Sequence, residues 1–427
     1  MSKDLARRTE IKLEFEGTDI SKDINRYLLS MTYTDNEEDK ADDLQITIDD
    51  KEGIWLGDWL NTPAQPPAPP KSSGWKIGDE VIVNGRPQYS SYGTGKPGKA
   101  LTNYKGKITH LNLKPNIPYP IHVDYKGWYA ESQVEKVDEK QETMTQSGGA
   151  KGATISATIV QKNWNSDGKD KALDCGIFEV DSVNASGPPT KVSIKATSVF
   201  HTSTIRRQKK TKAWENIHLK SIAEEIASKN GMKCMFESSY NPFYKRREQV
   251  KESDIVFLQT LCKKAGISLK VTAKTIVLFD AATYEKKPSI KTLKYGSSNI
   301  LSYRFSTSLT DASYGSCKVS YTDPKTKKTI TYTHKVSDNK QVLEINEKVT
   351  SAAEAKQLAI TQLREKNKNE FKADFTLVGD LDLVAGVTVD VEGYGIFDGK
   401  YIVETATHNV TGGYTVGVGL RKVLEGY

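Results

Sequence analysis

Cysteine is scarce in this 427-residue sequence: Cys175, Cys234, Cys262 and Cys317 stand far apart, with no CxxC pair among them. That spacing excludes a zinc knuckle and a disulfide framework and leaves the four as small buried hydrophobes. Long apolar runs are missing too. No stretch approaches the roughly 18 apolar residues of a membrane-spanning helix. The opening MSKDLARRTEIK carries charges where a signal peptide has its apolar core, so a membrane or secretory destination is not expected and completion in a cytoplasm is. Arginine is the third scarcity, with 11 among the 61 basic residues. Base reading and phosphate clamping favour the arginine fork, whereas scattered lysine keeps a large surface solvated, so the net charge of +7 is weak support for nucleic-acid binding.

Catalytic motifs are also wanting. The six histidines, His110, His122, His201, His218, His334 and His408, form no HExxH and no i, i+4 pair, and there is no GxSxG elbow. The segment GTGKPGK, residues 93–99, follows a phosphate-binding loop for seven positions. Ala100 then stands where Ser or Thr would hold magnesium, and Pro97 removes an amide, so a glycine-rich loop of a small β domain is the plainer reading. Glu224 and Glu225 fall on the polar side of an amphipathic helix. No cofactor or metal site is legible, and a Cys–His pair assembled in space stays open as the one enzymatic alternative.

What is present is β patterning over a length that suits about three domains. With 37% hydrophobic and 27% charged residues, the chain has enough apolar positions to fold throughout. Strands are expected around Ile11–Phe15, Leu28–Tyr33 and Leu44–Ile48 from their period-two alternation. Between the last two lies DNEEDKADD, residues 35–43, which lacks the glycine of an EF-hand loop and reads as a solvated connection or a contact for a basic neighbour. Trp55 and Trp59 precede PAQPPAPPKSSG, residues 63–74, a semi-rigid spacer; a second low-complexity stretch, 139–153, mirrors it. Between these linkers, residues 75–138 are rich in tyrosine and glycine and read as a small inserted β-barrel, because the sheet pattern of residues 1–62 resumes at 154–200.

Residues 201–297 read as an α+β module. Leu219, Ile222, Ala223 and Ile226 form one helical face ended by Gly231, and Ile255, Leu258, Leu261, Cys262 and Ala265 form another between Ser253 and Gly266; a β run follows each. From 298 to 427 alternation returns, including 317–321 and 329–334, around a single helix opened by a Ser351–Glu354 capping box. This predicts a second β-barrel carrying one helix. RRQKKTK, residues 206–212, is the densest basic cluster.

Taken in this order, the opening strand, the DNEEDKADDLQITIDD segment, a tryptophan soon after, the helix at Ser351, and the LVGDLDLVAGVTVDVEG and GKYIVETATHNVTGGYTVGVGL strands resemble contractile phage-tail and tailocin baseplate hub proteins of the late control protein D type and their XkdQ/YqbQ-like relatives, over residues 1–62 and 154–427. The resemblance implies a mainly β, multidomain chain with two tube-like β-barrel domains and no bond chemistry. It implies a homotrimer whose six barrels form a ring matching the tail tube or its initiator, with a central spike below, baseplate wedge and tape-measure proteins as neighbours, and DNA only passing through the lumen. Such a particle is assembled in the bacterial host cytoplasm and works in the virion tail baseplate. Residues 75–138 resemble a bacterial Src-homology-3-like module of the kind found on phage lysins, which implies binding to peptidoglycan or protein through Tyr89, Tyr92, Tyr104, Tyr119, Trp128 and Tyr129; aromatics in so small a barrel are equally its core. Asp35, Glu37, Glu38 and Asp39 on one copy, facing Arg206, Arg207, Lys209 and Lys210 on the next, are the candidate intersubunit contacts. The alternative function is a tail-associated protein that binds or hydrolyses the cell wall; an anionic-polymer binder is the third.

Overall fold

Alternating apolar residues become strands in nearly every place where the sequence carries them. The computed structural model describes residues 6–38, 40–53, 77–94, 96–112, 117–136, 152–165, 168–199, 204–308, 312–324 and 326–427. The proline-rich segment 63–74, most of the second linker, Trp55, Trp59 and Asp39 lie outside the described residues. The chain is mainly β and divides into two compact units, Met1–Ala64 with Gly149–Tyr427, and Gln65–Gly148.

The larger unit begins with β1 (Arg8–Phe15), β2 (Thr18–Asp19), helix α1 (Ser21–Tyr27), β3 (Leu28–Asn36) and β4 (Asp43–Asp49). The smaller unit contains β5 (Glu80–Gly85), β6 (Leu101–Leu111), β7 (Ile121–Val123), β8 (Gly127–Tyr129) and β9 (Val134–Lys136), paired in the order β8-β7-β6-β5-β9 around Val81, Val83, Ile108, Ile121, Val123 and Tyr129. The larger unit resumes with β10 (Thr154–Lys162), β11 (Lys171–Ser186) and β12 (Lys191–Thr197). Its strands pair antiparallel in the order β3-β4-β12-β11-β10-β1 and send Leu13, Ile46, Ile48, Ile159, Phe178 and Val192 into a first core. A slip of one residue would turn that set outward, so the buried face fixes the register.

The α+β module follows as α2 (Thr204–Arg207), β13 (Lys209–His218), α3 (Leu219–Lys229), β14 (Lys233–Glu237), β15 (Phe243–Ser253), α4 (Asp254–Ala265), β16 (Ser268–Val271), β17 (Thr275–Phe279) and α5 (Ala281–Glu285). Strands β14, β17 and β16 form one small sheet. Strands β13 and β15 form a separate antiparallel ribbon that the helical reading of this region misses. The expected helical faces are the buried ones, Leu219, Ile222, Ala223 and Ile226 on α3 and Leu258, Leu261 and Cys262 on α4. Gly266 ends α4 at φ +70°, where a Cβ would also come within 2.5 Å of the Thr361 hydroxyl, so both conformation and space require glycine.

The last part holds β18 (Lys291–Lys294), β19 (Ile300–Thr307), β20 (Ser316–Thr322), β21 (Thr329–Lys335), β22 (Val342–Ile345), α6 (Ala352–Asn367), β23 (Phe371–Val378), β24 (Thr388–Glu392), β25 (Gly399–Val410) and β26 (Tyr414–Lys422). At the start of α6, the Ser351 hydroxyl accepts from the Glu354 amide at 3.1 Å, while the Glu354 carboxylate accepts from the amide of Thr350 at 2.7 Å instead of that of Ser351. Strands β20 and β21, expected in the second barrel, instead form a three-stranded sheet with β22. Cys317 and Val319 of β20 share a core with the Ala355, Leu358, Ala359 and Leu363 face of α6, and Ile330 and Tyr332 of β21 pack against it.

The two expected barrels correspond to two halves of one sheet, each with its own core. The sheet is open, running β19-β23-β26-β25-β3-β4-β12-β11-β10-β1-β2, and no described sheet closes on itself. Strand β25 is the reason. It pairs with β26 along one side, while its other side takes β24 at 399–402 and then β3 at 405–410. Each half thereby satisfies the other's backbone groups instead of curling back on itself. A bulge between Val403 and Thr405 marks the change of partner and leaves Glu404 unmatched on β26.

Candidate functional site

The bulged Glu404 points to the chemistry at this branch. Its carbonyl accepts from the Glu37 amide at 2.9 Å, and its carboxylate accepts from Lys372 at 2.5 Å. Arg421 of β26 is completely buried beside it: it donates to Glu285, its Nη2 lies 3.5 Å from Glu37, and its Nε lies 3.3 Å from Glu404. Arg364 of α6 donates to the same Glu285 oxygen. Lys368, at the C-cap of α6, pairs with Glu38 at 2.8 Å. Lys270 of β16 holds Asp35 at 2.6 Å and Asp42 at 3.3 Å, and the other Asp35 oxygen accepts from the Ala385 amide at 2.9 Å.

The acidic segment expected at the surface thus finds its cations inside the chain, on the α+β module, on α6 and in the second half of the sheet. Burial pushes Glu37 up to about 7 against the pull of Arg421, and Asp42 up to about 6 against that of Lys270. Burial also acts to raise Glu285 and Glu38, but Arg421 with Arg364, and Lys368, outweigh it and hold both below the usual carboxylate range. The partners gave no local warning in the sequence, since Lys270, Glu285, Arg364, Lys368 and Arg421 are scattered over four elements that look ordinary.

The basic candidates lie elsewhere. Arg206, Arg207 and Lys209 are exposed, with an Arg206 Nη1 donating to the Val199 carbonyl at 3.4 Å, and Lys210 pairs with Asp254.

The two ends of the long sheet differ. Beside β1, helix α1 stands in for a strand: the Asn25 amide group bridges the N–H and C=O of Ile11 at 3.3 and 2.7 Å, and Ser21 Oγ accepts from the Leu13 amide at 3.0 Å. At the far end β19 has no such cover among the described residues. It exposes Leu301 and Tyr303, and Tyr303 lies 4.9 Å from Tyr394 and 6.2 Å from the exposed Tyr295, ring to ring.

In the smaller unit the candidate aromatics separate. Tyr89 and Tyr92 are 83% and 61% exposed; Tyr104, Tyr119 and Trp128 are half-buried; Tyr129 is fully buried and belongs to the core. Gly93, at φ +74°, lets the Tyr119 ring lie so close that a Cβ would come within 2.8 Å of it, which gives the glycine-rich loop a packing role. Tyr125, 99% exposed, is an aromatic the sequence reading missed. Cys175, Cys262 and Cys317 are buried, and burial raises the Cys317 thiol to about 11, as expected of packing residues.

The YqbQ-like family profile matches residues 201–421. No curated protein sequence matches the chain. Among solved structures, the fold is similar to the tail protein from Neisseria meningitidis MC58, with a TM-score of 0.58 at 10% identity over 97% of this chain and 96% of that one. It is similar to the 43 kDa tail protein of prophage MuSo2 from Shewanella oneidensis, with a TM-score of 0.58 at 13% identity over 97% and 99%. It is also similar to prophage tail protein gp18 from Listeria monocytogenes EGD-e, with a TM-score of 0.50 at 7% identity over 96% and 94%. Identities this low speak to fold, whereas the family profile spans more than half of the sequence: the chain belongs to the YqbQ-like family and has the fold of phage tail proteins.

Proposed function

We propose that the chain is a structural hub of a contractile phage or tailocin baseplate, a homotrimer that joins the tail tube to a central spike and catalyses no reaction. The observation that carries this reading is the uncovered edge of β19. An exposed edge strand bearing Leu301 and Tyr303 is an aggregation hazard unless another chain covers it, and a closed ring of copies covers each such edge once. Family membership and the two-core sheet support the same reading. The tube, spike, wedge and tape-measure proteins are the proposed neighbours, and the tail baseplate is the proposed location. Light scattering on the purified chain tests it: the expected mass is three times 47.4 kDa, and a monomer that persists at high concentration overturns the ring.

Tyr89 and Tyr92 favour one addition, that the Src-homology-3-like unit of residues 75–138 binds cell wall or protein. Co-sedimentation with purified peptidoglycan tests the wall arm. Clearing of a cell-wall zymogram would replace the structural reading with the hydrolase.

A further inference from the structure

The ribbon β13–β15 concentrates the charge of the molecule. With the short α2 before it, the ribbon carries nine lysines and arginines against Glu215, Glu248 and Glu252, a surplus of six where that of the whole chain is seven. Four of the 11 arginines are here, Arg206, Arg207, Arg246 and Arg247. Some of these cations are already engaged: Lys210 by Asp254, Lys212 by Glu225 at 2.5 Å, and Arg246 by Glu215 at 2.8 Å and Glu248 at 2.6 Å. Arg207, Lys209, Lys245, Arg247 and Lys251 are exposed and have no carboxylate partner among the described residues.

Two apolar side chains bracket three of the four cations of β15, Lys245, Arg246 and Arg247. Phe243 is 52% and Val250 is 56% exposed, and seven steps along the strand separate them by about 23 Å. Val250 is thrust out by a bulge, in which Lys251 adopts φ +52° and its amide donates to the Thr211 hydroxyl at 3.3 Å. A lysine in the left-handed region is an unfavourable conformation that serves here to re-aim the strand.

We propose that this ribbon is a docking surface for an acidic face of a different protein, one that sets carboxylates against the free cations and apolar residues against Phe243 and Val250. The complementarity on the page narrows the partner. The densest acidic segment of a second copy, residues 35–43, is not such a face, because Asp35, Glu37, Glu38 and Asp42 are held by Lys270, Arg421 and Lys368 of their own chain. A polyphosphate backbone would meet Glu215, Glu248 and Glu252 interleaved with the cations and would leave both apolar residues uncovered. A protein face matches both parts, with arginine forks suited to carboxylates. The inference does not depend on the trimer.

The test uses the full chain and a fluorescent peptide of about ten residues in which two leucines bracket a run of glutamates, read by anisotropy at about 150 mM salt. The triple variant K245E/R247E/K251E is expected to weaken binding by roughly tenfold or more, and F243S/V250S by several-fold at unchanged charge. Reversing the exposed Lys327, Lys328 and Lys340 makes the same change in net charge and is expected to leave binding within about twofold. Equal weakening by the control triple overturns the proposal, because net charge alone would then explain the binding. So does a short DNA duplex that binds more tightly than the peptide and is lost in the ribbon triple. Thermal midpoints confirm folding, and K245Q/R247Q repeats the comparison if the triple variant does not fold.

Discussion

The junction around Arg421 and the ribbon β13–β15 are made of the same residue types, and the one run of charges that the sequence shows in each, 35–43 and 206–212, reads as charged surface. In the structure one is sealed and neutralised within the chain, while the other stands in solvent with five cations that have no carboxylate partner among the described residues. The difference teaches that a run of charges carries no information about its own burial. What decides is whether opposite charges arrive from elsewhere in the fold, and at the junction they arrive from β16, α5, α6, β25 and β26.

Three measurements would break or sharpen that contrast. The largest effect is expected from Arg421→Met, which leaves Glu285, Glu37 and Glu404 around an apolar side chain; urea unfolding should register a loss of about 3–5 kcal/mol. A loss as small as that of a surface substitution would mean that the junction is no more committed than the ribbon.

Next is pH. Glu37 titrates near 7 in the folded chain and near 4.5 when unfolded, so folding takes up a proton between those values. Its stabilising contribution is complete below about 4.5 and is lost as pH rises from there through 7, on the order of 3 kcal/mol over the window. Buried His408, depressed to about 4, acts in the opposite sense, adding stability as pH rises from 4 to 6.5. The difference between the wild type and Glu37→Gln isolates the glutamate: the variant should gain on the wild type from about pH 4.5 to about pH 7 and level off above it, and parallel profiles would reject the assignment.

The smallest effect is expected at the ribbon, where K245E/R247E/K251E should shift stability by no more than about 0.5 kcal/mol. A larger shift would mean that these side chains hold the fold together and are not reserved for a partner.

Much of the architecture was legible. Helices α3 and α4 end where Gly231 and Gly266 say they should, and α6 begins where Ser351 does, because capping is local chemistry that shows in a few adjacent letters. Helix α1 was not legible: it has seven residues and no side-chain cap, and its role is to cover the edge of β1. The ribbon escaped notice because its outward residues are charged on both strands, which hides the period of two. The apolar alternation of β20 and β21 was visible, but it could not reveal that they pack on α6 apart from the main sheet. Tyr129 and Tyr89 look alike in a tyrosine-rich segment; only the pairing of β8 with β7 turns the first into the core.

The meeting of β3 with β25 also sets an order of events in time. The partners Thr32 and Asn409 are 377 residues apart in the chain. At ribosomal rates of roughly 5–20 residues per second, the free side of β3 waits on the order of 20–75 s before the strand that completes it is made. Through that interval the first core is built with one flank unsealed, and the inserted unit and the α+β module must emerge in the meantime. A nascent chain held short of β25 is therefore the form of this protein most in need of a chaperone.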